Sequence, residues 1–235
     1  PTAQAARAAV PESRGVLSYF VNELRVGSRA TPYSIVGAMD GQVVPAGMPD
    51  DEVVINEWLA KDLQAKPGDR LDLKYYVSGP QRRLIERSAN FRIRSVTPIS
   101  GAAADRNLMP DFPGVSDSEN CRDWKPGIPV DLKKIRDEDE AYWDAHRGTP
   151  KAFITLTAGQ KLWGNRWGDL TAVRYPATVT EADLATGIQK QLDPAALGLF
   201  FQRVRAQALA ASSQAMDFGG LFIGFSFFLI VAALL

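Results

Sequence analysis

The one stretch dense in groups that could do acid–base or metal chemistry is "RDEDEAYWDAH". It carries Asp137, Glu138, Asp139, Glu140, Asp144 and the chain's single histidine, His146. Carboxylates at helical spacing can ligate a divalent cation, and a carboxylate beside an imidazole can move protons. Here the acidic groups occupy neighbouring positions that point all round a helix, and no second histidine completes a metal shell. The run therefore reads as a solvated helix face. "SDSENCRDW" has the flavour of a calcium loop but lacks the spacing and the closing glutamate of an EF-hand.

Nucleophilic chemistry has equally little support. Cys121 is the only cysteine, so no intrachain disulfide can form, and His146 would be its only base. With no nucleophile motif around it, the thiol reads as structural or incidental. There is no G-x-S-x-G elbow and no G-x-x-x-x-G-K-[ST] phosphate loop. Trp163 and Trp167 are four residues apart and are expected to share a helix face in the core, with an exposed contact patch as the alternative. Lysine plus arginine (27) equals aspartate plus glutamate (27), which removes the electrostatic basis for nucleic-acid binding. No catalytic, metal or cofactor site is expected, and the chain does not read as an enzyme.

The elements that would have to position any such groups alternate in type. "GVLSYFVNELRVG" and "TPYSIVGAMD" read as strands closed by turn signals. Val53–Ile55 form a short strand, Asn56 caps a helix at about Glu57–Ala65, and "KPGD" ends it. Leu71–Val77 and a strand with Phe91, Ile93 and Val96 inward complete a β-α-β-β unit. Residues 100–150 lose the period, and only a helix from about Asp131 to His146 stands out. An irregular stretch of this length is usually a functional insertion. It is expected to be exposed, with Phe112, Trp124 and Trp143 as contact anchors, and to be removable without unfolding the rest. "KAFITLTAGQKLWGNRWGDLTAVRYP" then reads as strand, helix, strand. A helix at about Glu181–Leu192 and a last strand at about Leu199–Ala206 follow, with that strand expected beside the first.

From Phe218 to Leu235 no residue is charged, and about 18 such residues reach the lower end of a membrane-spanning helix. The preceding "AQALAASSQAMD" lacks lysine and arginine, which places the soluble part outside the cell. The stretch from Val204 to Asp217 has no glycine or proline and is expected to run from near Ala206 as one stiff helix into the apolar run. Since the chain starts at Pro1 without a methionine and stops inside the apolar run, it is expected to be a fragment cut at both ends, and its start lacks the apolar segment of a signal peptide.

"DDEVVINEWLAKDLQAKPGDRLDL" resembles the short strand, "N/S-x-x-L-A-x-x-L" helix, "x-x-G-D" turn and strand of the extracytoplasmic domain of FtsX/MacB-like ABC transporter permeases. "PKAFITLTAGQKLWGNRWGDLTAVRY" is similar to that domain's later strand–helix–strand, and "FSFFLIVAALL" to the start of the family's second membrane helix. The resemblance runs from about Gly15 to Leu235, apart from residues 100–150. It implies a permease subunit of the bacterial cytoplasmic (inner) membrane that pairs as a homo- or heterodimer and is powered by a separate cytoplasmic ATPase subunit. The outside, periplasmic domain would transmit motion to export or extract a substrate or to regulate an outside partner. The implied fold is α+β, a mixed sheet with a few packed helices, an irregular insertion and a C-terminal transmembrane helix. The parts would be residues 1–15 as a linker from a preceding membrane helix, 16–99 and 151–205 as the two halves of the domain, 100–150 as the insertion, and 206–235 as connecting helix and start of the membrane helix. No cofactor and no nucleic-acid partner is implied. The alternatives are a membrane-anchored extracytoplasmic sensor or binding domain without an ATPase, and a membrane-tethered hydrolase using the acidic insertion.

Overall fold

The alternating segment near the start becomes a long strand, β1 (Arg14–Val26), preceded by a short helix, α1 (Thr2–Ala9), where a linker is expected. The computed structural model describes residues 2–214 and 218–235, which fall into two units, Pro1–Leu192 and Asp193–Leu235. The first continues with β2 (Arg29–Met39), β3 (Glu52–Asn56), α2 (Glu57–Leu63), β4 (Arg70–Ser78) and β5 (Leu84–Thr97). After the irregular stretch come α3 (Asp137–His146), β6 (Ala152–Ile154), α4 (Leu156–Trp163), β7 (Ala172–Arg174) and α5 (Glu181–Gln191). The second unit holds α6 (Val204–Gln214) and α7 (Phe218–Leu234).

The fold class is α+β with a mixed sheet, and the sheet closes on itself. Its order is β2-β6-β3-β5-β4-β1, and β1 pairs with β2 to complete a six-stranded ring. Pairing is parallel for β2–β6 and β3–β5 and antiparallel elsewhere in the ring. β7 lies outside it, with Arg174, Val173 and Ala172 paired to Arg14, Gly15 and Val16 of β1. Closure removes free edges, the usual liability of a sheet.

Alternate residues of the short strands serve opposite faces. Val53 and Ile55 of β3, with Ala152 and Ile154 of β6, join the main core. Val54 and Phe153 between them pack with Val16, Met39, Val44 and Leu108 on the other face. A strand covered on both faces reads as a continuous apolar run, which is what "EVVIN" and "KAFI" show. α2 adds Leu59 and Leu63 to the main core, and α4 adds Leu156 and Trp163. Trp163 stacks on Tyr19 at 4.8 Å, and Tyr75 meets both rings edge-on.

Several expectations need correction. Val96 is exposed, because two-residue alternation from Phe91 and Ile93 puts it with Arg92 and Arg94 on the outer side. The helix expected from Asp131 starts only at Asp137. The Asp139 carboxylate accepts the Arg136 N–H at 3.0 Å, and Leu132–Lys134 make a separate tight turn capped by Asp131. Trp163 ends α4 and is buried, whereas Trp167 follows on a turn closed by Asn165 and Gly168 and is 79 % exposed, so the two share no helix face. No strand forms at 199–206. The neighbour of β1's first residues is β7, and helix-forming residues from Val204 onward make α6 instead.

α7 covers 17 residues, or about 25 Å at 1.5 Å per residue, against a hydrocarbon core of about 30 Å. Among the described residues no helix is long and apolar enough to cross a membrane. The junction of α6 and α7, residues 215–217, where one continuous helix is expected, lies outside the described residues.

Gly159 lets α4 approach β2. A Cβ there would sit 2.2 Å from the Ala38 Cβ and 3.4 Å from the Trp163 ring. Gly159→Ala should therefore lower stability in urea by about 1–3 kcal/mol. Adding Ala38→Gly should restore part of the loss. An unchanged denaturation midpoint for Gly159→Ala would contradict this packing.

Candidate functional site

The irregular stretch between β5 and β6 folds back onto the outer face of β1 and β2. Phe20 of β1 and Tyr33 of β2 stack at 5.9 Å. Trp124 and Phe112 meet Phe20 edge-on at 5.9 and 5.5 Å, and Trp143 meets Trp124 at 5.1 Å. Tyr33 is held at φ 35°, a left-handed value that an aromatic residue rarely adopts, and its hydroxyl accepts the Asp131 N–H at 2.6 Å. Trp124 and Trp143 are buried, together with Val115, Cys121 and Ile135. The stretch is thus a covering layer with its own core, not an exposed element with aromatic anchors. Removing Ala104–Arg147 would uncover Phe20 and Tyr33.

Beneath this layer lies a network of charged groups. Lys151 leads into β6. Its N–H donates to the Ile35 carbonyl at 3.0 Å, and its carbonyl accepts the Asn56 N–H at 2.9 Å, so its backbone bridges β2 and β3. Its ammonium is buried 4.1 Å from the Trp58 ring centroid and 4.6 Å from that of Tyr142, with the Asp139 carboxylate at 3.6 Å. Arg136 donates to both Asp139 oxygens (2.8 and 2.9 Å) and both Asp62 oxygens (2.8 and 3.0 Å). Thr31 of β2 donates to Asp62 at 2.5 Å. Asn56 caps α2 through Leu59 N–H at 2.8 Å, and its amide donates to the Tyr142 hydroxyl at 3.0 Å and the Pro150 carbonyl at 3.3 Å. Strands β2, β3 and β6 and helices α2 and α3 therefore meet at one polar junction.

The electrostatics follow from burial. Loss of water pulls the Lys151 ammonium down to about 8, against the opposing pull of the Asp139 and Asp62 carboxylates. Burial pushes Asp62 up, but hydrogen bonds from Arg136 and Thr31 outweigh it and hold the carboxyl below its ordinary value. The hydrogen bond to Asp139 raises Arg136. Burial, with Glu140 nearby, pushes the Cys121 thiol up to about 12, so it stays protonated. Burial and Arg106 lower the half-buried His146 imidazole. A cavity of about 30 Å³ among Tyr33, Cys121, Trp124, Asp139, Tyr142 and Lys151 has room for about one or two waters and is far below the roughly 300 Å³ of a small-molecule site.

The acidic run divides. Asp137, Glu138 and Asp144 are exposed as expected. Asp139 is buried, and Glu140 accepts the Cys121 and Arg122 N–H groups at 2.9 Å each, so these two are structural and not solvated. Among the described residues no group of three or more histidine, cysteine, aspartate or glutamate side chains could hold a metal ion. Lys151, Arg136 and Asp62 escape the sequence reading, since each looks like an ordinary surface charge. The one available hint is that Lys151 stands directly before the fully buried "AFI".

A second feature concerns how the chain passes through the first unit. Ser13 caps back onto Arg7 and Val10, tying α1 to β1. Tyr175, just after β7, donates to the Ala6 carbonyl at 3.0 Å, and a Cβ on Gly187 of α5 would lie 3.3 Å from Ala9. The first and last helices of the unit thus pack together beside the paired ends of β1 and β7. No protein-family model and no curated protein matches the chain.

Replacing Lys151 tests its electrostatic state. Its folded value lies near 8 and its ordinary one near 10.5. Between those pH values the unfolded chain binds more protons, so stability rises with pH across that window. Lys151→Met lacks this slope. From pH 7.5 to 10.5 the wild type should therefore gain on the order of 1–3 kcal/mol relative to the variant in urea unfolding. A pH-independent difference would show that burial does not depress this lysine.

Proposed function

We propose that the chain is the extracytoplasmic domain of an FtsX/MacB-like ABC transporter permease subunit, joined to the start of its second membrane helix. The observation that carries this reading is the pairing of α1 with α5. A domain inserted between two membrane helices must begin and finish on one side, and the first unit does so. The two motifs behind the family resemblance correspond to β3-α2-β4 and β6-α4-β7, with Asn56 and Thr155 as helix caps.

In this reading α7 is the beginning of a membrane span and needs further apolar residues to complete it. The domain sits outside the bacterial inner membrane, in a permease dimer whose partner is the same subunit or a related one. A separate cytoplasmic ATPase supplies the energy. In this reading the domain itself does no bond chemistry, since the ATPase subunit supplies the energy. Its work is to transmit motion that exports or extracts a substrate or regulates an outside partner. A closed ring with the insertion bound to it suits that work, because a body that does not deform passes on displacement at α1 and α5 undiminished.

The test uses the full-length subunit in its native membrane. An ATPase subunit should copurify with it. Three glycines inserted after Ser212, within α6, should leave folding, membrane insertion and ATP hydrolysis intact. Transport or partner activation should fall to the level of an ATPase-dead control. Undiminished transport in that variant would make the segment a passive tether, and absence of any ATPase partner would favour a membrane-anchored sensor.

A further inference from the structure

The β4–β5 pair is longer than the ring needs. β4 pairs with β1 only through Asp72, Leu73 and Lys74, opposite Arg25, Leu24 and Glu23. Beyond Lys74 it remains paired with β5 alone, as far as Ser78 opposite Leu84. The result is a two-stranded arm that leaves the ring. Its base is held by Tyr19, which donates to the Tyr76 carbonyl at 2.5 Å, and by Asn22, which donates to Glu86 at 2.8 Å. A fixed turn closes the tip, where Gly79 N–H donates to the Arg83 carbonyl at 2.7 Å.

We propose that the tip of this arm docks on the anionic lipid headgroups of the membrane from which the domain projects. The proposal rests on the membrane reading given above. Every residue from Gln81 to Ser88 is exposed, including Leu84 at 39 % and Ile85 at 41 %. Arg82, Arg83 and Arg87 make no ion pair among the described residues, and the one carboxylate of the segment, Glu86, is engaged by Asn22. Three guanidinium groups without a carboxylate partner around two aliphatic side chains match a headgroup layer. The arginines meet phosphates while the aliphatic groups reach the acyl boundary. A two-stranded arm has no core of its own to cover Leu84 and Ile85.

Position selects a lipid surface over a protein partner. β4 runs antiparallel to β1, so each residue after Lys74 advances toward the start of β1. The Tyr19–Tyr76 hydrogen bond sets the level, and the few residues beyond it bring the tip alongside the first residues of β1. That is the end where β1 meets β7 and where α1 packs on α5. The cationic tip therefore lies at the end through which the chain enters and leaves the first unit.

Site-directed spin labelling of the full-length protein in vesicles tests this. One nitroxide is placed at Leu84→Cys and a control at Phe227→Cys in α7; Cys121 is buried and protonated, so it does not compete for the label. In vesicles of one-third phosphatidylglycerol, the position-84 label should become accessible to oxygen and shielded from a water-soluble nickel complex. It should return to water in pure phosphatidylcholine and at high salt. Each arginine near an anionic surface is worth about fivefold in partitioning, so Arg82→Glu, Arg83→Glu and Arg87→Glu together should abolish the shift. A position-84 label that stays aqueous in the anionic vesicles, while the control is lipid-immersed, would overturn the docking and leave the membrane reading standing. An aqueous control would overturn both. A label immobilised without dependence on lipid charge would mean a protein partner and would also overturn the proposal.

Discussion

A single buried ammonium governs how the parts of the first unit meet. Lys151 cannot leave the junction without breaking its backbone bonds to Ile35 and Asn56, which join β6 to β2 and β3. Its side chain cannot remain there without partners, because an unpaired buried charge costs several kcal/mol. The Asp139 carboxylate and the faces of Trp58 and Tyr142 meet that requirement. Asp139 in turn must be oriented, and Arg136 does so while reaching across to Asp62 on α2. From one lysine, the docking of α3, and with it of the whole covering layer, is determined.

The closed ring and the bound layer together leave few places where the first unit could deform. Both faces of β3 and β6 are covered, and the aromatic group around Phe20 and Tyr33 holds the layer a second time, beside the charges. Against this background the β4–β5 arm and the turn bearing Trp167 are exceptions, since each exposes apolar surface on a segment anchored at its base. Rigid packing and local exposure belong to different tasks. The first suits transmission of displacement, and the second suits contact with something outside the domain.

Most of the regular elements were legible in single residues. Asn56 announced α2, alternation announced β1 and β4, and a turn signal closed β2. Closure into a ring was not legible, because it depends on pairings between strands distant in sequence, β1 with β4 and β2 with β6, and pairing partners leave no local mark. The covering layer was misread for a related reason. Its backbone is irregular, which resembles an exposed loop, but its tryptophans pack against residues more than 100 positions earlier, such as Phe20. The acidic run misled in the opposite sense. Consecutive carboxylates suggest solvent, and only the proximity of Arg136 and Lys151 turns Asp139 inward. Burial of a charge depends on a partner from elsewhere in the chain, and that is the information a linear pattern lacks.

The use of charge at the junction, where apolar packing would serve, has a physical consequence. An aliphatic seam of equal volume would often be as stable or more so, because desolvation offsets much of the attraction between buried ions. Apolar surfaces, though, tolerate sliding, since dispersion and burial depend little on direction. The Arg136 guanidinium donates to its two carboxylates only in a fixed planar arrangement, and Lys151 is satisfied only where carboxylate and rings converge. A displaced layer would strand at least one charge without a partner. The junction therefore trades stability for a single docking geometry, and that singleness is what the proposed transmission of motion would call on.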